Sequence, residues 1–337
     1  MKKCYILGAG FSKACDLPLA SELTAQVFDH LHNDLVRKLN PQLIEDRRNF
    51  IRALYPGFDL ETKWPDFEDL ITLLNEWDDY RCVCGDDDTF VPHFKTGLIK
   101  HLAKLLCKHT NDSHSACKLG IIKRFLKKVH DEQGNIISFN WDLLLEIGAQ
   151  ELGIKINYQK QASNSEISVS KPHGSLNLAA SQKDYLEKGA FNIHSLDTEL
   201  EYDGGDKFIL RAQNPTDALH RIVNPFENAL IIEPTAKKSY LSPWINLQWH
   251  FALDMVRTAE EITIIGYSLP HTDIRPRILL SLIRFKRDKY IPIKLIDPKG
   301  ESLRERFENV VGAPLEIVSK SWEDIKLGTA PQPPISP

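Results

Sequence analysis

Cys4-Tyr5-Ile6-Leu7-Gly8-Ala9-Gly10-Phe11-Ser12 carries a short apolar run straight into a glycine turn. A strand that must turn at once into a helix needs backbone torsions and close approach that a Cβ obstructs, and Gly8 and Gly10 supply both. Amides at the start of the following helix would then face a phosphate, with the helix dipole favouring negative charge there. Ser12 adds a hydroxyl. The dinucleotide fingerprint G-x-G-x-x-G asks for a third glycine where this chain has Lys13, so the match is incomplete. These residues fit a nucleotide cradle and equally a structural turn with no ligand.

Outward from the turn, from about residue 19 to residue 130, the pattern is helical. Leu23, Val27, Leu31 and Leu35 recur at four-residue intervals, and Leu98, Ile99, Leu102, Leu105 and Leu106 form a second apolar stripe. Trp64-Pro65-Asp66-Phe67-Glu68-Asp69-Leu70 starts another helix, with proline near its first turn and acids near its positive end. Strand character returns at Asn135–Phe139, Ile154–Tyr158, Ala229–Ile232, Ile262–Ile265 and Ile291–Ile296. Several of these are continuous apolar runs, as strands buried on both faces of a parallel sheet require. Helical segments at Pro243–Ala259 and Arg275–Phe285 intervene. The alternation predicts an α/β fold with a doubly wound, mostly parallel sheet and a helical module inserted after the first strand. Residues 1–327 read as one domain. Within it, the polar stretch from about 178 to 225 is a lid or small irregular insertion, and the proline-rich residues 328–337 form a flexible tail.

The 337 residues are 42% hydrophobic and 26% charged, as expected of a folded globular chain. A net charge of -4 gives no bulk drive toward nucleic acid or anionic membrane, so direct nucleic-acid binding is not indicated. No apolar stretch reaches the roughly 20 residues that span a bilayer, and the expected location is the cytoplasm. Cys4, Cys15, Cys82, Cys84, Cys107 and Cys117 show no repeated C-x-x-C pair. Neither a zinc ribbon nor a disulfide framework is indicated, and reduced thiols are expected. Asp86-Asp87-Asp88 lacks the spaced oxygen ligands of a calcium loop and reads as a solvated loop, so no metal is expected.

Four further stretches carry chemistry-bearing residues. In Ile136-Ile137-Ser138-Phe139-Asn140-Trp141-Asp142 an apolar strand delivers an amide and a carboxylate at its carboxyl end, the edge at which open α/β sheets bind ligands. If the backbone stays extended, Asn140 and Asp142 share a side; either would also serve as a cap for the helix that follows. Lys171-Pro172-His173-Gly174-Ser175 pins a histidine between proline and glycine, which suits a general base or a structural hydrogen-bonding role. Gly266-Tyr267-Ser268-Leu269-Pro270-His271-Thr272-Asp273 and Ile296-Asp297-Pro298 each end a buried strand in groups able to hold ribose hydroxyls, or to form turns and caps.

Taken in order, Gly-Ala-Gly-Phe-Ser, Ser-Phe-Asn-Trp-Asp, Lys-Pro-His-Gly-Ser and Gly-Tyr-Ser-Leu-Pro resemble the motif series of the sirtuin-like family, especially its bacterial branch associated with defence against phage. The resemblance spans about residues 4 to 297. It implies a Rossmann-like domain with a helical module that binds NAD+. Gly8, Ala9, Gly10, Phe11 and Ser12 would then serve the cofactor's pyrophosphate and approach the nicotinamide pocket. Asn140 would position the nicotinamide ribose and a water, Asp142 would line the nicotinamide pocket, and His173 would be the catalytic histidine. Gly266, Ser268 and Asp297 would lie along the adenosine half.

The chain departs from the deacetylating members of that family. It has no four-cysteine ribbon, and Asp16-Leu17-Pro18-Leu19-Ala20-Ser21 stands where they carry Gly-Ile-Pro-x-Phe-Arg. The resemblance therefore implies an NAD+ hydrolase in which NAD+ is the substrate and no metal is used. Relatives of this kind work as homo-oligomers or beside a partner such as a HerA-like ATPase. A non-catalytic subunit that binds NAD+ or ADP-ribose is the alternative, with protein deacylation or ADP-ribosyl transfer behind it.

Overall fold

The computed structural model describes residues 2–37, 41–61, 63–83, 90–115, 118–158, 165–181, 199–201, 207–209, 227–231, 243–285 and 291–325. The chain begins with β1 (Lys3–Leu7) and then runs through α1 (Ala9–Lys13), α2 (Ala20–Arg37), α3 (Pro41–Leu54), α4 (Phe67–Val83), α5 (Phe90–Ser115) and α6 (Gly120–Asp131). It continues with β2 (Asn135–Ser138), α7 (Leu144–Glu151), β3 (Lys155–Asn157), β4 (Glu166–Ser170), β5 (Gly174–Ser181), β6 (Glu199–Glu201), β7 (Lys207–Ile209) and β8 (Glu227–Ile231). It ends with α8 (Pro243–Thr258), β9 (Glu261–Ile265), α9 (Ile274–Phe285), β10 (Ile293–Ile296), α10 (Gly300–Val311), β11 (Glu316–Val318) and a 3-10 turn at Trp322–Asp324.

Seven strands form an all-parallel sheet in the order β11-β10-β9-β1-β2-β4-β3. The fold is thus α/β and Rossmann-like, with helices on both faces. β1 is central because both of its faces are apolar: Tyr5 and Leu7 enter one core, and Cys4 and Ile6 enter the other. The first core is closed by α6, α7 and the helical module, the second by α8, α9 and α10. In α6 the spacing of Ile122, Phe125, Leu126 and Val129 makes one buried stripe, and this helix packs on α7 and β4. The inserted module proper is therefore α2 to α5, and α6 is the crossover helix that returns the chain to the sheet.

Several elements differ from the sequence expectation. The apolar run at Ala229–Ile232 does yield a strand, but β8 pairs antiparallel with β5 outside the main sheet. β4 and β11 complete the sheet where no apolar run announces a strand. Ser168 and Ser170 of β4 are buried, and the Ser170 hydroxyl donates to the Gln248 carbonyl of α8 at 2.7 Å. The helix expected around Pro65 starts at Phe67, with Asp66 Oδ1 accepting the Glu68 N–H at 2.8 Å. Most of the expected insertion at 178–225, the acidic group at 86–88 and the tail at 328–337 lie outside the described residues.

Candidate functional site

Leu7 sits level with Ser138 on one side and Ile265 on the other, Ile265 with Ile296, and Ile137 with Ser170. The strands therefore stop together, and the residues that follow them form one rim. The chain leaves β1 for β2 on one side and returns at β9 on the other, so β1 flanks the point where strand order reverses. At such a switch point the loops part and leave a crevice.

The first turn is fixed by backbone contact. Gly8 N–H donates to Ile265 O at 3.1 Å, Gly10 N–H to Gly266 O at 2.8 Å, and Phe11 N–H to Gly8 O at 2.9 Å. A Cβ on Gly8 would stand 2.6 Å from the Tyr267 Cα, and one on Gly10 2.7 Å from the Gly266 Cα. These glycines are required because two turns touch, and the three amides are spent within the protein. Of the two readings of this turn, close packing is realised for the amides of Gly8, Gly10 and Phe11.

Ser12 is the first polar side chain of the turn to reach the site. Its hydroxyl donates to Asp142 Oδ2 at 2.6 Å and accepts from Asn140 Nδ2 at 2.8 Å, while the same Asn140 amide donates to Gly8 O at 2.8 Å. Both Asn140 N–H groups are thereby used, which turns its carbonyl oxygen into the group available to a ligand. Asp142 also caps α7 through Oδ1, which accepts the Leu144 N–H at 3.1 Å. Burial pushes the Asp142 carboxyl above its ordinary value, and the Lys171 charge, the Ser12 hydroxyl and the Leu144 amide oppose that push.

Lys171 holds this loop from below. It is 1% exposed, and its Nζ donates to Asp142 O, Glu146 Oε1 and Ser175 Oγ at 2.6, 2.8 and 2.7 Å. A buried ammonium with three acceptors, one of them a carboxylate, is satisfied, and it ties the end of β4 to α7. His173 follows two residues later. Its ring lies 4.8 Å from that of Phe139, and its carbonyl accepts the Trp141 indole N–H at 3.0 Å. His173 Nε2 is 3.8 Å from Asp273 Oδ1, and Asp273 Oδ2 accepts the Tyr267 hydroxyl at 2.6 Å.

A cavity of about 590 Å³ opens between this rim and the helical module. Gly8, Ala9, Gly10, Ser12, Asn140, Asp142, His173, Gly266, Ser268 and Asp297 all line it. Phe11 does not. Its ring is 1% exposed in the core, stacked on Trp322 at 4.5 Å, because the helical turn of α1 rotates it away from Ser12. Phe11 is thus a core residue, and its ring lies outside the cavity. Ser268 is exposed, and its carbonyl accepts from Arg306; Asp297 Oδ1 accepts the Lys299 N–H at 2.7 Å, so its turn-forming role is realised at the cavity wall. From the module, Glu68 reaches across to accept the Thr272 hydroxyl at 2.6 Å.

No family model and no curated protein matches this chain. Among the described residues no group of three or more His, Cys, Asp or Glu side chains is placed to hold a metal ion, and no helix is long and apolar enough to cross a membrane. Burial pushes the Cys4 and Cys15 thiols up to about 12, which makes them poor nucleophiles. Lys171, Tyr267 and Asp273 lie within the quoted stretches, and the approach of Lys171 to Asp142 and Glu146 and of Asp273 to His173 becomes visible only when the strands are set side by side. Trp322, whose indole N–H donates to Phe11 O at 2.9 Å, has no local signal at all.

Proposed function

We propose that this protein is a sirtuin-like NAD+ glycohydrolase that cleaves the bond between nicotinamide and ribose, giving nicotinamide and ADP-ribose. One observation carries the reading: five separate stretches meet at a single sheet edge around one cavity, with Asn140, Ser12 and Asp142 already hydrogen-bonded together. The cavity volume falls within the range of about 300–1,000 Å³ usual for small-molecule and cofactor sites.

The leaving group is a cationic pyridinium, so it takes the bonding pair without an acid to protonate it. What the protein must supply is orientation, water delivery and a proton acceptor. The Asn140 carbonyl oxygen would hold a ribose hydroxyl or the incoming water. His173 would take the proton from that water, directly or through a ribose hydroxyl, as the new C–O bond forms. Asp142, fixed by Ser12 and Lys171, would hold the carboxamide end. The amides of Gly8, Gly10 and Phe11 are engaged elsewhere, so on this reading the pyrophosphate is held by other groups of the turn. Depletion of NAD+ in antiphage defence, under control of homo-oligomer assembly or a HerA-like ATPase, is the cellular role in keeping with this chemistry.

The test is to incubate purified protein with NAD+, with and without candidate partners, and to quantify nicotinamide and ADP-ribose. Asn140→Ala and His173→Ala are each expected to abolish release while leaving the protein folded. Full activity in both variants refutes the assignment. Saturable NAD+ binding with no nicotinamide formed, even with a partner present, would favour the non-catalytic binding subunit.

A further inference from the structure

Asp273 plays no part in the reaction outlined above, yet it lies against the side chain on which that reaction turns. We propose that Asp273 is a positioning residue for His173, setting its tautomer and favouring its protonated form, with Tyr267 holding the carboxylate in place. The inference rests on the reading of the cavity as an NAD+-hydrolysing site.

The arrangement is built from three elements. Asp273 immediately precedes α9 and is 2% exposed, with its carboxylate turned inward. Tyr267, two residues beyond β9, donates its hydroxyl to Oδ2 at 2.6 Å, and Oδ1 lies 3.8 Å from His173 Nε2 beyond β4. The Phe139 ring packs 4.8 Å from both the imidazole and the phenol, and Trp249 lies 6.0 Å from the imidazole, so apolar surface surrounds the pair. Burial and the Asp273 charge hold the Tyr267 phenol well above its ordinary value, which keeps it a donor. The other charged groups bearing on this compartment are Glu68 from α4 and Arg277 from α9, of opposite sign. Nearby, His271 meets Arg277 at 3.3 Å, and Arg275 lies over Trp249.

A carboxylate in such surroundings favours a charged imidazole, and in the neutral ring it favours the Nε2–H tautomer. Nδ1 is then the basic nitrogen. As Nδ1 takes a proton from water, Asp273 keeps its own charge and faces the imidazolium that forms. No electrons are transferred.

Full-length wild type and Asp273→Asn are compared in kcat and KM for NAD+ across pH. The variant is expected to lose about 100-fold in kcat, within the range a general base contributes, with KM changed by less than about threefold. The acidic limb of kcat/KM should move about one pH unit lower, because removing the carboxylate makes the imidazole easier to deprotonate. Independently of turnover, NMR of [15N]histidine-labelled protein reads the His173 titration, whose midpoint should fall in Asp273→Asn. An unmoved midpoint in the folded variant overturns the inference. If that variant does not fold, the wild-type spectrum decides: a neutral His173 in the Nε2–H form supports the pairing, and the Nδ1–H form overturns it. Wild-type protein that releases no nicotinamide defeats the hydrolase reading, while the NMR result still decides this one.

Discussion

Gly266→Ala tests whether the junction of the two glycine turns is a packing requirement or only a torsional one. At Gly266 φ is +59°, and an added Cβ would lie 2.4 Å from both the Gly10 carbonyl carbon and the Phe11 nitrogen. These are main-chain atoms of α1, just beyond the central strand, which cannot swing aside as a side-chain tip would. Gly153, just beyond α7, provides the internal control: its φ is +67°, and nothing lies within 4 Å of an added Cβ. Alanine at Gly153 therefore costs only the left-handed torsion, about 1–2 kcal/mol. Alanine at Gly266 adds overpacking of about 1–3 kcal/mol, for a total near 4 kcal/mol.

Unfolding entropy near 2.1 cal/mol/K per residue makes 1 kcal/mol worth roughly 1.4 °C in a chain of 337 residues. The expected fall in Tm is thus about 6 °C for Gly266→Ala and about 2 °C for Gly153→Ala. Calorimetry and urea unfolding of the two purified variants measure the difference. Equal losses in both would show that the turns do not need each other's contact, and the account of Gly8, Gly10 and Gly266 would fail.

Three other perturbations probe the scaffold. Lys171→Met leaves Glu146 without its ammonium and should cost about 3–5 kcal/mol in urea unfolding, much of it recovered in the double variant with Glu146→Gln. Burial alone would raise the Glu132 carboxyl, but hydrogen bonds from Lys128, Tyr5 and Lys3 outweigh it and hold the group below its ordinary value. That stabilisation is complete above pH 4.5 and is lost as pH falls through the lowered folded value, so Glu132→Gln should destabilise by about 1 kcal/mol at neutral pH and match wild type in strong acid. Trp322→Ala removes the stacking partner of Phe11 and should cost about 3–5 kcal/mol in the same assay, whereas Trp322→Phe, which leaves Phe11 O without its donor, should cost about 1–3 kcal/mol.

The sheet was legible where its strands are buried on both faces, because Tyr5-Ile6-Leu7, Ile136-Ile137 and Ile262 to Ile265 leave no polar alternative. It was illegible where burial is achieved with serine, as in β4, since the partner that satisfies Ser170 is a carbonyl 78 residues away. A run such as Ala229–Ile232 declares a strand but not its neighbour, and here that neighbour is antiparallel. Asn140, Asp142 and His173 stand out as candidates in the sequence because each follows a strand, and the rim gathers them around the cavity. The roles of Lys171 and Asp273 depend on which strands lie adjacent. The glycine turn is ambiguous in sequence, because the same flexibility that lets a phosphate approach also lets a second backbone approach, and here the Gly266–Tyr267 backbone does so.

The order of strands also fixes an order of events at the ribosome. β1 precedes both of its partners in the sequence and is the middle strand of the finished sheet; β2 and β9 arrive only with residues 135 and 261. Until Gly266 has emerged, the Gly10 amide has no acceptor, and the rim exists only in halves. A tie from Trp322 to Phe11 closes a loop of 311 residues. A nascent chain thus cannot complete this cavity until the residues through Glu323 that line it have emerged. Stalled chains ending before residue 260 should accordingly expose β1 to proteolysis, whereas full-length chains protect it.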